Sequence, residues 1–290
     1  MAERYGIAYQ GSKARIAQQI LALMPRATHF YDLFAGGCAM THAALLSGKY
    51  DIIHYNDIGD APKLFEDAIN GKYRNECRWI SREQFFAEKD SDPYVHFLWS
   101  FGNDGRTYMY GRDVEPLKKA MHYAICFNDD SLLKELGIDI GEVVNEPMSA
   151  AKHAKICAML HSKQVESLAR LTQLQRLQNL EHLRRLQRLQ KDYREVEIYS
   201  DAVIYADPPY RQTKSYATTA NGFDHEAFDE WVRSRNQPVY VSEYTMPSDF
   251  IEILAVKCAT LQNSATPIDR VEKVFVHERW INDIPRTTLF

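Results

Sequence analysis

Ala202-Val203-Ile204-Tyr205-Ala206-Asp207-Pro208-Pro209-Tyr210 decides how this chain is read. Its first five residues form a short apolar run with β-branched side chains, and two prolines stop it. Neither proline has an N–H to donate, so neither can extend a sheet or sit inside a helix. The run reads as a buried strand ending in a rigid turn. That turn holds out one carboxylate (Asp207), one proline carbonyl (Pro208) and one aromatic ring (Tyr210) at the carboxyl end of the strand. In open α/β sheets ligands bind at that edge. Two acceptors beside a flat ring suit a planar group that carries an amino function. The plain alternative is a proline turn with a packed tyrosine.

A second strand, turn and helix precede it. His29-Phe30-Tyr31-Asp32-Leu33-Phe34-Ala35-Gly36-Gly37-Cys38-Ala39 leads into a helical run from Met40 to Leu46 that ends near Gly48. Such a turn brings backbone N–H groups and a helix N-terminus close to a ligand. Asp51 to Asp57 follows as another strand, and an acid at that strand's end can accept both hydroxyls of a ribose. The full G-x-G-x-x-G dinucleotide pattern is absent. Nearer the start, Tyr9-Gln10-Gly11-Ser12-Lys13-Ala14-Arg15 opens a helical pattern with Ile16, Ile20, Leu21 and Leu23, stopped by Pro25. An anion bound at that helix start would be drawn by the dipole and by Lys13. A solvated basic first turn is the alternative.

Composition bounds the function. The 290 residues suffice for one large or two modest domains, and 45% apolar with 26% charged content is ordinary for a globular protein. A net charge of −4 gives no global nucleic-acid signature, so DNA binding has to rest on local basic patches. The five cysteines (Cys38, Cys77, Cys126, Cys157, Cys258) are scattered without a Cys-x-x-Cys pair. This argues against a disulfide framework or a cysteine zinc site. With no secretory signal and no apolar run of membrane-spanning length, the expected location is the cytoplasm, with no membrane partner and no metal.

From about Lys72 to Asn145 aromatic and basic residues interleave. The section centres on Leu98 to Arg112, where Asn103-Asp104-Gly105 flanked by aromatics predicts a hairpin or loop. Arg106 and Arg112 there suit phosphate or guanine-edge contacts, with Tyr108 between them as a further DNA-contact candidate. The same interleaving would serve merely to pack a small subdomain. Glu115 to Leu136 reads as helix broken at Asp129-Asp130, and His122 has no partner at metal-ligand spacing.

Between Leu168 and Leu189 leucine recurs every third residue. Each step turns about −60° around a helix, which disfavours a sustained coiled coil. Either part of the repeat is helix and part extended, or the leucines surround a helix buried on several sides. From Lys163 to Arg194 eight basic residues stand against three acidic ones. That is either a phosphate-tracking surface or a solvated helix face. After Tyr210, residues 211–222 form a polar stretch expected to be a mobile loop, with Lys214 and Tyr216 able to meet DNA or simply be solvated. A helix capped by Asp224, a buried strand from Pro238 to Tyr244, and a closing hairpin over Ala259 to His277 complete the chain.

Asp207-Pro208-Pro209-Tyr210 resembles the motif of the S-adenosylmethionine-dependent DNA adenine-N6 methyltransferases. Gly11-Ser12-Lys13 looks like their N-terminal Gly-x-Lys element. Phe34-Ala35-Gly36 looks like the start of their Phe-x-Gly-x-Gly element, with Cys38 where the second glycine is usual. That cysteine either narrows the donor pocket or is tolerated as a small residue. The 98–112 stretch is similar to the recognition insert of phage and prophage members, and leucine–glutamine triplets occur in such relatives. Ser242-Glu243-Tyr244 resembles the strand after the catalytic one. The order of these elements is that of the D12-class (α-type, Dam-like) enzymes.

The resemblance implies an α/β fold: a Rossmann-like methyltransferase sheet from residues 1–70 and 196–290, with a mostly helical DNA-recognition domain inserted at 71–195. It implies Asp207, Pro208, Pro209 and Tyr210 as catalytic. Tyr9, Lys13, Phe34, Ala35, Gly36, Asp57 and Asp207 would surround S-adenosylmethionine. Lys13, Arg106, Tyr108, Arg112 and Lys214 would meet double-stranded DNA. The implied reaction methylates adenine N6 at a short DNA sequence after base flipping, and phage self-protection from restriction is the implied role. Two rivals stand beside it: an inactive DNA-binding module, supported by Cys38 alone, and transfer to cytosine N4 or an amide nitrogen. Enzymes using those acceptors usually carry Ser or Asn before Pro-Pro-Tyr, so Asp207 favours adenine.

Overall fold

A computed structural model describes residues 5–211, 222–260 and 268–285. The chain divides into two compact units, one of Met1–Gly6, Ser12–Pro62 and Glu181–Phe290, the other of Ile7–Gly11 and Lys63–Leu180.

The first unit is built on a seven-stranded sheet. Its strands are β1 (Ala27–Asp32), β2 (Tyr50–Asn56), β3 (Leu186–Leu189), β4 (Ala202–Ala206), β5 (Val239–Ser242), β6 (Phe250–Thr260) and β7 (Ile268–His277). They lie in the order β3-β2-β1-β4-β5-β7-β6. β1 to β5 run parallel, and β7 is antiparallel to both β5 and β6. This is the α/β, Rossmann-like sheet expected from the sequence. Strand order reverses between β1 and β4, so a crevice opens at their carboxyl ends.

The strands follow from their side chains. All five residues of β4 are buried, as a central parallel strand covered on both faces requires. Helix α1 (Ala17–Ala22) buries Ala17, Ile20 and Leu21, and α2 (Ala39–Ser47) is buried from Ala39 to Leu45. Near the other end, α10 (His225–Ser234) starts where Asp224 accepts the Ala227 N–H at 3.0 Å. Its Phe228, Trp231 and Val232 share one core cluster with Ile204, Val239 and Val241.

The second unit is helical: α3 (Ala61–Ile69, begun at the end of the first unit), α4 (Arg82–Glu88), α5 (Pro93–Leu98), α6 (Glu115–Phe127), α7 (Ser131–Glu135), α8 (Ala150–Met159) and α9 (Glu166–Arg176). A capping box between Ser81 and Gln84 starts α4. The aromatics noted in the sequence form its core: Trp79 stacks on Tyr110 at 5.5 Å and meets Trp99 edge-on at 5.0 Å. Two buried lysines and the partly buried Arg170 hold its turns. Lys118 donates to the carbonyls of Lys163 and Gln164, and Lys152 to Asn128 Oδ1 and the Val144 carbonyl. Arg170 donates to the carbonyls of Phe97, Leu98 and Ser100. His122 is packed, its Nε2 paired with the Cys77 carbonyl at 2.7 Å, and burial pushes its pKa down to about 4.

Two open alternatives are decided and two expected boundaries shift. The leucine repeat is part helix and part extended: Leu168, Leu171 and Leu174 are the buried face of α9, whereas Leu186 to Leu189 form β3. The rotation of the three-residue period explains this, since α9 ends before its leucines turn outward. β3 pairs with β2 from Ile53–Leu186 to Asn56–Leu189, so the sheet unit resumes at Glu181 rather than 196. A short strand inside a repeat carries no alternation to announce it. The 98–112 stretch is a loop closed by the single bridge Ser100–Tyr108, not a hairpin of two strands. The closing ribbon begins at Phe250, ahead of the expected Ala259, with an irregularity between Glu252 and Leu254. Lys214 and Tyr216 lie outside the described residues.

Arg170 also settles part of the basic stretch, because a guanidinium spent on three buried carbonyls cannot track phosphates. Arg170→Met is expected to cost about 3 kcal/mol, the penalty for stranding buried acceptors of a charged donor. Urea unfolding of the purified variant checks it.

Candidate active site

Three loops meet at the crevice because their strands are in register. Asp32 of β1 stands level with Tyr205 of β4 and with Tyr55 of β2. The glycine turn after Asp32, Asp57 after β2, and Asp207 after β4 therefore leave the sheet along one edge.

The turn after β1 is held from several sides. Leu33 N–H donates to the Tyr205 carbonyl at 3.0 Å and Ala35 N–H to the Asn56 carbonyl at 2.9 Å. Buried Asn56 reaches further: its Nδ2 donates to the carbonyls of Leu33 and Lys191, and its Oδ1 accepts Lys191 N–H. Asp57 accepts Gly36 N–H on Oδ2 and Gly59 N–H on Oδ1, both at 2.8 Å. Each of its oxygens keeps a second lone pair. Burial raises its pKa and the two N–H groups oppose the rise.

Cys38 is the left-handed residue before α2, with φ 58°, and has no exposed surface. Its thiol lies 3.8 Å from the Gly36 carbonyl, and burial raises the thiol pKa well above the usual range. Since Cys38 cannot cap the helix, Asp32 does: its Oδ2 accepts Thr41 N–H at 3.0 Å and the Thr41 hydroxyl at 2.7 Å. Burial outweighs these bonds and lifts the Asp32 carboxyl to about 7. The uncapped cysteine start was the sequence signal for this acid, and it went unread.

The N-terminal segment leans on the same turn. Gly6 N–H donates to His42 Nδ1 at 3.0 Å. Gly6 has φ +66°, and a Cβ there would lie 2.2 Å from the Gly37 carbonyl oxygen and 2.7 Å from Ala39 N. Phe34 packs among Tyr193, Phe223 and Phe228, and Ala35 is buried.

At the second turn, buried Lys13 donates to Asp207 Oδ2 at 2.7 Å and stands 5.1 Å from the Tyr210 ring centroid. Burial is the largest influence on Asp207 and raises its pKa, against the pull of Lys13. Asp207 Oδ1 is buried and accepts no hydrogen bond among the described residues. Glu272 of β7 accepts the Tyr210 hydroxyl at 3.0 Å and lies 3.6 Å from Lys13 Nζ. No sequence signal marked Glu272, which is one charged residue in an alternating ribbon.

The end of β5 braces the turn. Ser242 Oγ pairs with the Tyr205 hydroxyl at 2.7 Å. Glu243 accepts the N–H groups of Arg211 and Tyr244, and the Tyr244 ring meets Tyr210 edge-on at 4.6 Å. Arg211 in turn grips both Asp229 oxygens, at 2.7 and 2.8 Å.

The remaining candidates belong to the helical unit. Tyr9 packs its ring against Phe97 at 5.8 Å. Arg106 and Arg112 are exposed. Tyr108 is not: it is 2% exposed and its hydroxyl donates to the Ile80 carbonyl at 2.7 Å. Its expected DNA contact is withdrawn, because the ring and hydroxyl are spent holding the loop.

Residues 9–97 match the family model described as D12 class N6 adenine-specific DNA methyltransferase. The match takes in Lys13, the glycine turn and Asp57. The Asp207–Tyr210 turn lies beyond it and reaches the same crevice through β4. No curated protein matches the chain. Among solved structures, the rRNA methyltransferase aviRa from Streptomyces viridochromogenes is similar over 96% of this chain and 89% of its own, at 13% identity and a TM-score of 0.38.

Gly6→Ala is expected to lose at least about 2 kcal/mol, from left-handed strain and the collision with the 37–39 backbone. Thermal melting of the purified variant checks it. Asp32 provides a pH test. Its folded pKa lies above the ordinary 3.8, so its contribution is full below about pH 4 and lost as the pH rises to about 7. Denaturation from pH 4 to 7 should show this fall, up to roughly 4 kcal/mol, and Asp32→Asn should flatten it.

Proposed function

We propose that this chain transfers a methyl group to the N6 amino group of adenine within a short sequence of double-stranded DNA. The observation that carries the reading is Asp207 Oδ1: a buried carboxylate oxygen to which no hydrogen bond is formed among the described residues, while its other oxygen holds Lys13, which stands over the Tyr210 ring. An unpaired buried acceptor is costly. An incoming amino group is the complement it lacks.

S-adenosylmethionine, when bound, supplies an electrophilic sulfonium methyl. Asp57, through its second lone pairs, and the backbone of Phe34, Ala35 and Gly36 are the groups assigned to hold the donor. The adenine amino group is hidden in the duplex stack, so the base must be flipped out at a cost of a few kcal/mol. Tyr210 stacks on the extruded ring. Asp207 and the Pro208 carbonyl accept the two amino protons, which turns the nitrogen lone pair out of conjugation with the ring and toward the donor. Pro208 and Pro209 stiffen the turn, so the acceptors need no reorganisation during the transfer. One amino proton leaves as nitrogen gains the methyl group, and Asp207, whose affinity for a proton burial raises, is the acceptor this reading assigns. Exposed Arg106 and Arg112 support target reading by the helical unit.

The test is expression of wild type and Asp207→Ala in a host lacking adenine methylation, with N6-methyladenine mapped by long-read sequencing. Wild type should mark one short motif. The variant should lose about 10²–10³-fold in turnover, with donor affinity within about threefold of wild type. Marks on another base, or none from a folded, DNA-bound wild type, would sink the reading.

A further inference from the structure

Glu272 lies beside the Asp207–Tyr210 turn through an overrun of β7. β5 last pairs with β7 at Ser242–Val274, and β7 runs on beside β6, where Glu272 faces Val256. This overrun carries Glu272 past the end of β5, beside the Asp207–Tyr210 turn. Its Oε2 accepts the Tyr210 hydroxyl at 3.0 Å and stands 3.6 Å from Lys13 Nζ. Lys13 is meanwhile bound to Asp207 at 2.7 Å. One buried ammonium thus faces two carboxylates, and the nearer is the one that must receive the adenine amino group.

Removing Lys13 from Asp207 into an unpaired buried position would be costly, since its side chain is only 5% exposed. A second carboxylate within reach removes that cost. A movement of about 1 Å brings Lys13 to an ordinary charged hydrogen-bond distance from Glu272. The proton stays on Lys13 throughout, and only its partner changes. Asp207 then offers both oxygens and its full negative charge to the amino group. The bond from Tyr210 to Glu272 meanwhile keeps the ring in place.

Resting on the adenine-methylation reading, we propose that Glu272 is a positioning residue for the transfer step. It takes over the Lys13 ammonium as the amino group engages Asp207, and it anchors the Tyr210 hydroxyl.

The experiment is single-turnover methyl transfer by wild type, Glu272→Gln, Glu272→Asp, Lys13→Met and the Glu272→Gln/Lys13→Met pair, each with S-adenosylmethionine affinity measured by calorimetry. Gln preserves an acceptor for Tyr210 and loses the charge, so its rate should fall about tenfold with donor affinity within about twofold. Asp keeps the charge on a shorter arm and should fall about threefold. In the Lys13→Met background, Glu272→Gln should cost less than about a further twofold, because no ammonium needs a second partner. A Gln variant at the wild-type rate overturns the proposal. So does an Asp variant as slow as Gln, or a Gln loss undiminished without Lys13, which would leave Glu272 acting on Tyr210 alone. Should Glu272→Gln not fold, Glu272→Asp carries the test, and a wild-type rate from it overturns the proposal. A wild type that methylates no DNA adenine overturns the functional reading itself and this inference with it, an outcome distinct from an active wild type with indifferent variants.

Discussion

The parallel pairing of β1 with β4 is the constraint on which the rest depends. It joins His29–Asp32 to Ala202–Tyr205 across most of the chain and makes the strand order reverse there. Loops leaving two such strands diverge to opposite faces of the sheet and open a crevice between them. One loop carries the glycine turn and the other carries Asp207 to Tyr210. A register slip of one residue would turn the strand side chains to the wrong faces and separate Asp32 from the N-terminus of α2.

Around that crevice, buried polar groups do what apolar packing cannot. Asp32 caps a helix whose preceding residue is a cysteine. Asn56 ties the loop after β1 to the segment after β3. Glu243 holds the chain on the far side of Tyr210. Each satisfies backbone groups that would otherwise be stranded without water. The result is a set of stiff turns presenting a small number of acceptors. Burial raises the pKa of Asp32, Asp57, Asp207 and Glu243 alike. Lys13 is the ammonium that offsets part of that accumulated negative charge, through Asp207 and Glu272.

The helical unit solves the same problem with opposite charges. Lys118, Lys152 and Arg170 are drawn inward to carbonyl groups at helix ends and in the loop after α5. The Ser100–Tyr108 bridge closes that loop, and Gly105 lies so close to His96 that no Cβ would fit there. Arg106 stands exposed within that closed loop and Arg112 just beyond it.

Much of this was legible in the residues themselves. Two prolines after a β-branched run can end only a strand, and glycines before a helix can form only a tight turn, because the backbone permits little else. Strand, turn and motif order thus emerged from local rules, whereas for the leucine repeat they left two arrangements open. Local rules say nothing of which distant side chains meet. The inward turn of Arg170 and Tyr108, the capping of α2 by Asp32, and the arrival of Glu272 at Lys13 and Tyr210 depend on register between strands far apart in sequence. A charged residue in a ribbon looks the same whether it faces water or a buried ammonium. The sequence determined the elements and the chemistry they could carry; the tertiary structure alone decided which charges are buried together, because only packing removes the water that would keep them apart.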